Sequence, residues 1–483
     1  MSKLYIFGIG GTGARVIKAL TMLLASGVAC GVDTIVPVII DRDMSNKDLS
    51  RTKRLIDNYI EVNKIADTRE RNKFFKTNIR LLNHELCLQL MDNTQKFEDF
   101  TGKSSMSREN QALMEMLFSK ETLKMDMTAG FQGNPNIGSV VLNQFENSDV
   151  FKAFAQDFKE GDRIFIISSI FGGTGASGFP LLRKILHTHN VKDPAGRVLD
   201  NWGLINGAPV GAVSVLPYFT VGSARDDSLV QSDTFIDKSK AALSYYKTED
   251  KKIDTLYYIA DKHTSAYEHN KGGDAQRNNA HLVELAAALA ILDFVDPEKT
   301  AENIRRDEQG KIRRTTYKEF GIRSNAPEIN FENLADKTKA ALVNPLSRFL
   351  LFRNYMKFVF HKQHRRQPYA HKLFTGHFRA TDVIQKLEAV QDQYYEWLQE
   401  MEKQTHRFAP FNLTSRDALD FVKGAIRYQK KSWYYRNWQA VDNELNKQTE
   451  KINRSLENEK KFIELFFRAT EALIQYKDKP HDR

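Results

Sequence analysis

Short apolar runs separated by longer mixed stretches organise the first two thirds of the chain. Residues 3–7 (KLYIF), 34–40 (TIVPVII), 163–169 (RIFIISS), 210–219 (VGAVSVLPYF) and 255–261 (TLYYIAD) each have the length and continuity of a buried strand. Between them the period changes. Residues 14–27 place Val16, Leu20, Leu23 and Leu24 on one helical face, with Gly27 as a stop, and residues 178–189 read as a helix that tolerates a proline in its first turn. Residues 53–127 are mostly charged with scattered apolar positions and read as helices and loops. Strands alternating with helices predict an α/β chain, a Rossmann-like parallel sheet with helices on both faces. No internal repeat is present.

Residues 276–295 (QRNNAHLVELAAALAILDFV) are apolar on nearly every helical face. A helix of that kind must be enclosed by protein, so it is expected as a central core helix. Its start is polar, with Gln276, Arg277, Asn278 and Asn279. From about residue 340 the strand signals fade and the chain reads as mostly helical. Residues 382–402 carry Val383, Leu387, Val390, Tyr394, Trp397 and Met401 at alternating spacings of four and three, which is one apolar stripe of a packed helix. Residues 440–477 read as one long helix or a broken pair.

Composition narrows the class. The chain has 483 residues, 41% hydrophobic and 27% charged, enough to bury a core over two or three domains. The net charge of +10 favours anionic partners without choosing among them, and a solvated basic surface is the preferred account of it. The two cysteines, Cys30 and Cys87, build neither a disulfide framework nor a metal-ligand spacing. The start of the chain lacks the pattern of a secretory leader and no apolar run approaches a membrane span, so a cytoplasmic setting is expected.

Two glycine turns stand out. Gly8-Ile9-Gly10-Gly11-Thr12-Gly13 joins the first strand to the first helix. Phe171-Gly172-Gly173-Thr174-Gly175-Ala176-Ser177-Gly178 follows the strand at 163–169. Glycine lets a backbone come close to a bound group, and a following helix adds its positive end. Neither turn carries the lysine of a P-loop. The first alone also fits a dinucleotide-binding fingerprint. Against an NAD-type oxidoreductase, Asp41 lies 28 positions past Gly13, where roughly 20 is usual for a ribose contact, and the second turn is left without a use. Two amide-lined turns on neighbouring strands could instead hold one polyphosphate from two sides.

Together these motifs resemble the tubulin/FtsZ superfamily, most nearly its divergent bacterial tubulin-like members, over roughly residues 1–340. FGGTGASG is similar to the family's GGGTG(S/T/A)G loop, with Phe171 in place of the first glycine. Gly130-Phe131-Gln132-Gly133-Asn134-Pro135-Asn136-Ile137-Gly138 is similar to the loop that senses the terminal phosphate. The resemblance implies a GTP-binding domain at 1–275, the core helix at 276–298, a second, activation-like domain at 299–380, and a helical C-terminal region at 381–483. It implies GTP/GDP and Mg²⁺ as cofactors. Phosphate contacts are expected from Gly10, Gly11, Thr12, Gly13, Gly133, Asn134, Gly172, Gly173, Thr174, Gly175, Ala176 and Ser177. Asp41 and Asp43 are expected near phosphate and Mg²⁺, with strand-end polarity as the plain alternative. Asn278 or Asn279 is expected to meet the guanine edge, since an amide offers both a donor and an acceptor, while helix capping by one of them is the competing reading.

In the family an acidic loop after the core helix completes hydrolysis in the next subunit. Asn330–Asp336 (NFENLAD) is similar to that loop, which makes Glu332 and Asp336 the catalytic candidates, and Asp293 or Asp296 at the helix end the alternative. The resemblance therefore implies a GTPase that self-associates head to tail into filaments. The alternative is a nucleotide sensor with little or no hydrolysis. Basic residues interleave with aromatics at Arg353–Arg379 and Lys430–Trp438. Such stretches are more often amphipathic helices with wet cations than single-strand nucleic-acid platforms, and a protein partner is the intermediate possibility.

Overall fold

The computed structural model describes residues 2–65, 73–88, 94–128, 130–131, 133–193, 195–221, 235–249, 253–261, 265–267, 277–321, 327–363, 366–374, 378, 381–424 and 438–476. Eleven strands lie among them: β1 (Lys3–Ile9), β2 (Thr34–Ile40), β3 (Asn78–Ile79), β4 (Arg163–Ser169), β5 (Val210–Val215), β6 (Phe219–Val221), β7 (Thr255–Ala260), β8 (Ser265–Tyr267), β9 (Thr316–Gly321), β10 (Glu328–Ile329) and β11 (Arg407–Phe408). The helices that shape the site and its surroundings are α1 (Gly10–Ala25), α2 (Lys47–Asn63), α3 (Pro135–Val141), α4 (Gly173–Leu186), α5 (Phe235–Glu249), α6 (Leu282–Val295), α7 (Asp336–Tyr355), α8 (Asp382–Glu402), α9 (Trp438–Gln448) and α10 (Asn458–Leu473).

Seven strands form one sheet in the order β3-β2-β1-β4-β5-β7-β9, and every pairing in it is parallel. The continuous apolar runs follow from this, because a parallel sheet is covered on both faces and has no solvent side to mark with polar residues. Helices α1 and α6 pack on one face with α2 against α1, and α4 packs on the other with α3 and α5 against it. Strand order reverses between β1 and β4. The chain builds outward from β1 in one direction and from β4 in the other, leaving a switch point between their carboxyl ends. Strand β9 joins the sheet beside β7, so residues 316–321 extend the sheet. Among the described residues no helix is long and apolar enough to cross a membrane.

The core helix α6 is enclosed as its all-round apolarity requires, packed on α1 and on strands β5 and β7. The helix runs from Leu282 to Val295, shorter than the expected 276–298, because residues 277–281 lie outside it and His281 caps it; Gln276 lies outside the described residues. Helix α4 begins at Gly173, earlier than residue 178, so Pro180 falls inside it. Proline there leaves the carbonyl of Ala176 without its helical donor. The hydroxyl of Tyr246 on α5 donates to that carbonyl at 3.2 Å.

Among the described residues beyond 335 the chain is mostly helical, with β11 as the exception, and its core is aromatic. Phe352 and Phe466 stack at 4.4 Å between centroids, and Phe74, from the segment before β3, inserts among Phe349, Phe352 and Phe467 at 5.3, 5.6 and 5.3 Å. Phe360, Tyr369 and Phe374 of the basic aromatic stretch are buried here, so these rings serve the core. The second such stretch lies outside the described residues except for Trp438, which packs on Tyr355. Because Phe74 plugs one half of the chain into the other, Phe74→Ala should cost about 3–5 kcal/mol. Thermal unfolding should remain a single transition at lower temperature; two separated transitions would show that the halves fold independently.

Candidate functional site

Strands β1 and β4 pair with Gly8 opposite Ile167, so their carboxyl ends lie side by side. Each leads into a helix whose start lacks a side-chain cap: α1 after Ile9, α4 after Gly172. Neighbouring helices are capped, α2 by the Asn46 side chain and α6 by His281. The first four N–H groups of a helix have no acceptor within it, and the helix dipole adds to their positive field. At the switch point, two such uncapped starts face one gap.

Contacts at the glycines measure how close the loops come. A methyl group placed on Gly10, whose φ is +72°, would sit 3.4 Å from the Thr174 Cβ and 3.8 Å from the Gly175 nitrogen. One placed on Gly173 would sit 3.1 Å from the Gly133 nitrogen and 3.0 Å from that of Asn134. Gly10, Gly11, Thr12 and Gly13, then Gly172, Gly173, Thr174 and Gly175, then Gly133 and Asn134, are thereby brought to one place. Not every group in these loops faces the gap. The Asn134 N–H closes a turn onto the Phe131 carbonyl at 2.8 Å, and its side chain caps α3. The Ser177 hydroxyl donates back to the Gly173 carbonyl at 2.7 Å, and Ala176 is engaged by Tyr246. Gly175 is packed so closely on Ser169 that a side chain there would overlap its carbonyl.

The turn after β2 reaches the first loop. A methyl on Gly11 would lie 3.7 Å from the Asn46 side-chain nitrogen. Asp41 and Asp43 are both buried in this turn. Burial pushes the Asp41 carboxyl up to about 7, opposed by the Asp43 N–H that donates to it at 3.2 Å. Asp43 accepts from the Ser45 hydroxyl at 2.9 Å. Among the described residues no group of three or more His, Cys, Asp and Glu gathers to hold a metal. Mg²⁺ needs no such cage, since one or two carboxylates with water and phosphate suffice, and the Asp41–Asp43 pair fits that demand.

On the opposite side of the gap the polar start of the core helix meets α1 and α2. The capping role belongs to His281, whose Nδ1 accepts from the Val283 N–H at 3.1 Å, rather than to an asparagine. The Asn278 N–H donates to the Asp48 carboxylate at 3.3 Å. Arg15, buried beneath Gly11, ties this region together. It donates to Glu284 at 2.6 Å, Asp48 at 3.1 Å, Tyr218 at 2.9 Å and Thr12 of the first loop at 3.3 Å. Helix α8 closes the outside. Glu400 accepts from Arg51, from Lys18 at 3.3 Å and from the Ala280 N–H at 3.1 Å, while Gln404 donates to the Ala280 carbonyl at 2.9 Å. Burial works against the Glu400 charge, and Lys18 and Arg51 outweigh it, holding the carboxyl below its usual range. Burial pushes the Lys18 ammonium down. The sequence reading missed Arg15, Lys18, Glu284 and Glu400. The signal was present as lone charges inside apolar helical runs, which must find partners when buried.

Glu332 lies in the turn between β10 and α7, and Asp336 is the first residue of α7. Strand β10 pairs with β11, and His406 beside β11 bonds Asp261, just past the carboxyl end of β7, at 2.7 Å. The two acids are therefore near the end of the sheet that carries the glycine loops. Glu332 packs against Gly424, and Asp336 pairs with Lys339 at 3.4 Å on the surface. The far end of the core helix carries Asp293 and Asp296 instead. Burial opposes the Asp293 charge, but Lys299, Lys318 and Tyr257 hold its carboxyl low, while Asp296 caps the following turn.

Fold and site together define a doubly wound parallel α/β protein with three glycine turns packed together at its switch point. No protein-family model and no curated protein matches the chain. Among solved structures it is similar to CetZ from Methanosaeta thermophila strain DSM 6194, at 11% identity and a TM-score of 0.25, covering 54% of this chain and 46% of that one. It is also similar to CetZ2 from Haloferax volcanii, solved as a GTPγS-bound protofilament, at 15% identity and a TM-score of 0.28, covering 64% of this chain and 61% of that one. The chain thus spans less than two thirds of either neighbour, and overlap so shallow assigns neither activity nor partner.

Removing the cation that joins loop and core helix should be costly. Arg15→Met leaves Asp48 and Glu284 buried without it and should lower stability by about 3–5 kcal/mol in urea unfolding. A loss below about 1 kcal/mol, the worth of a surface pair, would show that the network is not what holds these elements.

Proposed function

We propose that the chain binds a guanine nucleotide in the tubulin/FtsZ manner, with its phosphates at the switch point and its base toward Asn278 and Asn279. The observation that carries this reading is the convergence of three glycine turns, two of them opening uncapped helices, at the carboxyl ends of adjacent strands. A polyphosphate supplies acceptors for those N–H groups, and such a crevice is where open α/β sheets bind ligands. Guanine is supported by the resemblance of the motifs and by the amide chemistry of Asn278 and Asn279. Mg²⁺ would be held through Asp41 and Asp43 and would offset phosphate charge.

Head-to-tail self-association with hydrolysis at the subunit contact extends this reading, since a contact of that kind does not close on itself and builds filaments. Hydrolysis would then need an acidic group at the end of one subunit that meets the cleft of the next. Glu332 and Asp336 remain the candidates by motif. Their position near the cleft end, and the lysines that occupy Asp293, favour the second reading, a nucleotide sensor with little turnover.

Purified protein should bind GTP more tightly than ATP or NAD in calorimetry; equal affinity for all three would sink the guanine assignment. Gly173→Val places a branched side chain against the Gly133 and Asn134 amides and should abolish GTP binding while circular dichroism is retained. Sedimentation with GTP and Mg²⁺ separates the two readings: pelleted polymer with phosphate release supports the filament, and monomer in every nucleotide state supports the sensor.

A further inference from the structure

The cleft has amide donors but no P-loop lysine, and a triphosphate brings several negative charges. The buried cations nearby are committed to carboxylates: Arg15 to Asp48 and Glu284, Lys18 and Arg51 to Glu400. Lys238 is placed differently. Helix α5 lies along α4, fixed by Phe235 against Phe171 at 5.1 Å and Tyr246 against Phe179 at 5.0 Å. Lys238, one turn in from Phe235, is carried by the same face to the third loop, where its Nζ donates to the Gly133 carbonyl at 3.1 Å. Gly133 is the residue whose nitrogen lies 3.1 Å from a methyl on Gly173, so the ammonium stands at the junction of the second and third loops. No carboxylate pairs with it among the described residues, and its neighbour Asp237 lies 3.7 Å from Lys240. It is half-buried, and burial pushes its amine down.

We propose that Lys238 is the cation that engages the terminal phosphate, making the site prefer a nucleoside triphosphate over a diphosphate. This rests on the guanine-nucleotide reading. In it the base lies on the α1, α2 and core-helix face, and the phosphates cross the sheet end toward α4 and α5. The phosphate farthest from the base is then the one that meets Gly133 and Lys238. Shifting the ammonium from a neutral carbonyl to a phosphate oxygen makes a charge-assisted bond that a diphosphate is too short to receive.

The test is the affinity of the full chain for GTP and for GDP in native protein, K238M and K238R. K238M should weaken GTP about tenfold, the effect of one charge-assisted bond, and GDP by no more than about twofold. K238R keeps the charge and should recover most of the GTP affinity. Should K238M unfold, K238Q retains a polar end toward the Gly133 carbonyl and serves the same comparison. Equal losses for GTP and GDP, or no loss for either, overturn the role of Lys238. Native protein that binds neither nucleotide overturns the underlying site reading instead.

Discussion

Everything at the cleft depends on how closely three pieces of backbone approach one another. Where a methyl on Gly173 would lie 3.0 Å from a backbone nitrogen, there is no room for a side chain at position 173. The turns offer main-chain N–H groups instead, whose directions are fixed by the strand ends and helix starts that bear them. Donors fixed in this way need no reordering to meet an acceptor, which removes one entropic cost of binding. The parallel pairing of β1 and β4 sets the distance between the first two turns, and the packing of α3 on α4 sets the third.

Around this backbone cluster the structure spends its buried charges on holding elements together. Arg15 links the first turn to the core helix through Glu284 and to α2 through Asp48. Glu400 links the C-terminal helical region to the segment that enters the core helix. Buried ion pairs add little net stability against apolar replacements, but they penalise misplacement strongly, because a charge separated from its partner stays buried. Their effect here is register. They fix where the 277–281 segment sits between α1, α2 and α8.

Much of this was legible in the sequence. The strands at 34–40 and 163–169 and the helix at 382–402 occupy the residues their patterns indicate, because continuous apolar runs and a long stripe admit few alternatives. The start of α4 was not legible. Glycine and proline argue against helix locally, and only the hydroxyl of Tyr246, 66 residues away from Pro180, makes the proline tolerable. The glycine turns declared themselves by composition. The supporting charges did not, because Arg15 and Glu284 are 269 residues apart and nothing local joins them. The position of Glu332 and Asp336 likewise follows from the pairing of β10 with β11, a contact between distant segments.

Helix α8 has 21 residues, so it is about 32 Å long. One end is fastened at Glu400 and Gln404 to the peptide groups that lead into the core helix, and Tyr394 and Trp397 lock its middle into the aromatic core. Ile384 and Leu387, near the Asp382 end, are buried as well, so the helix is held along its whole length. A rod gripped in this way moves as one body, and an adjustment of the 277–281 segment cannot occur without a shift of the packing between α8, α2 and the aromatic core.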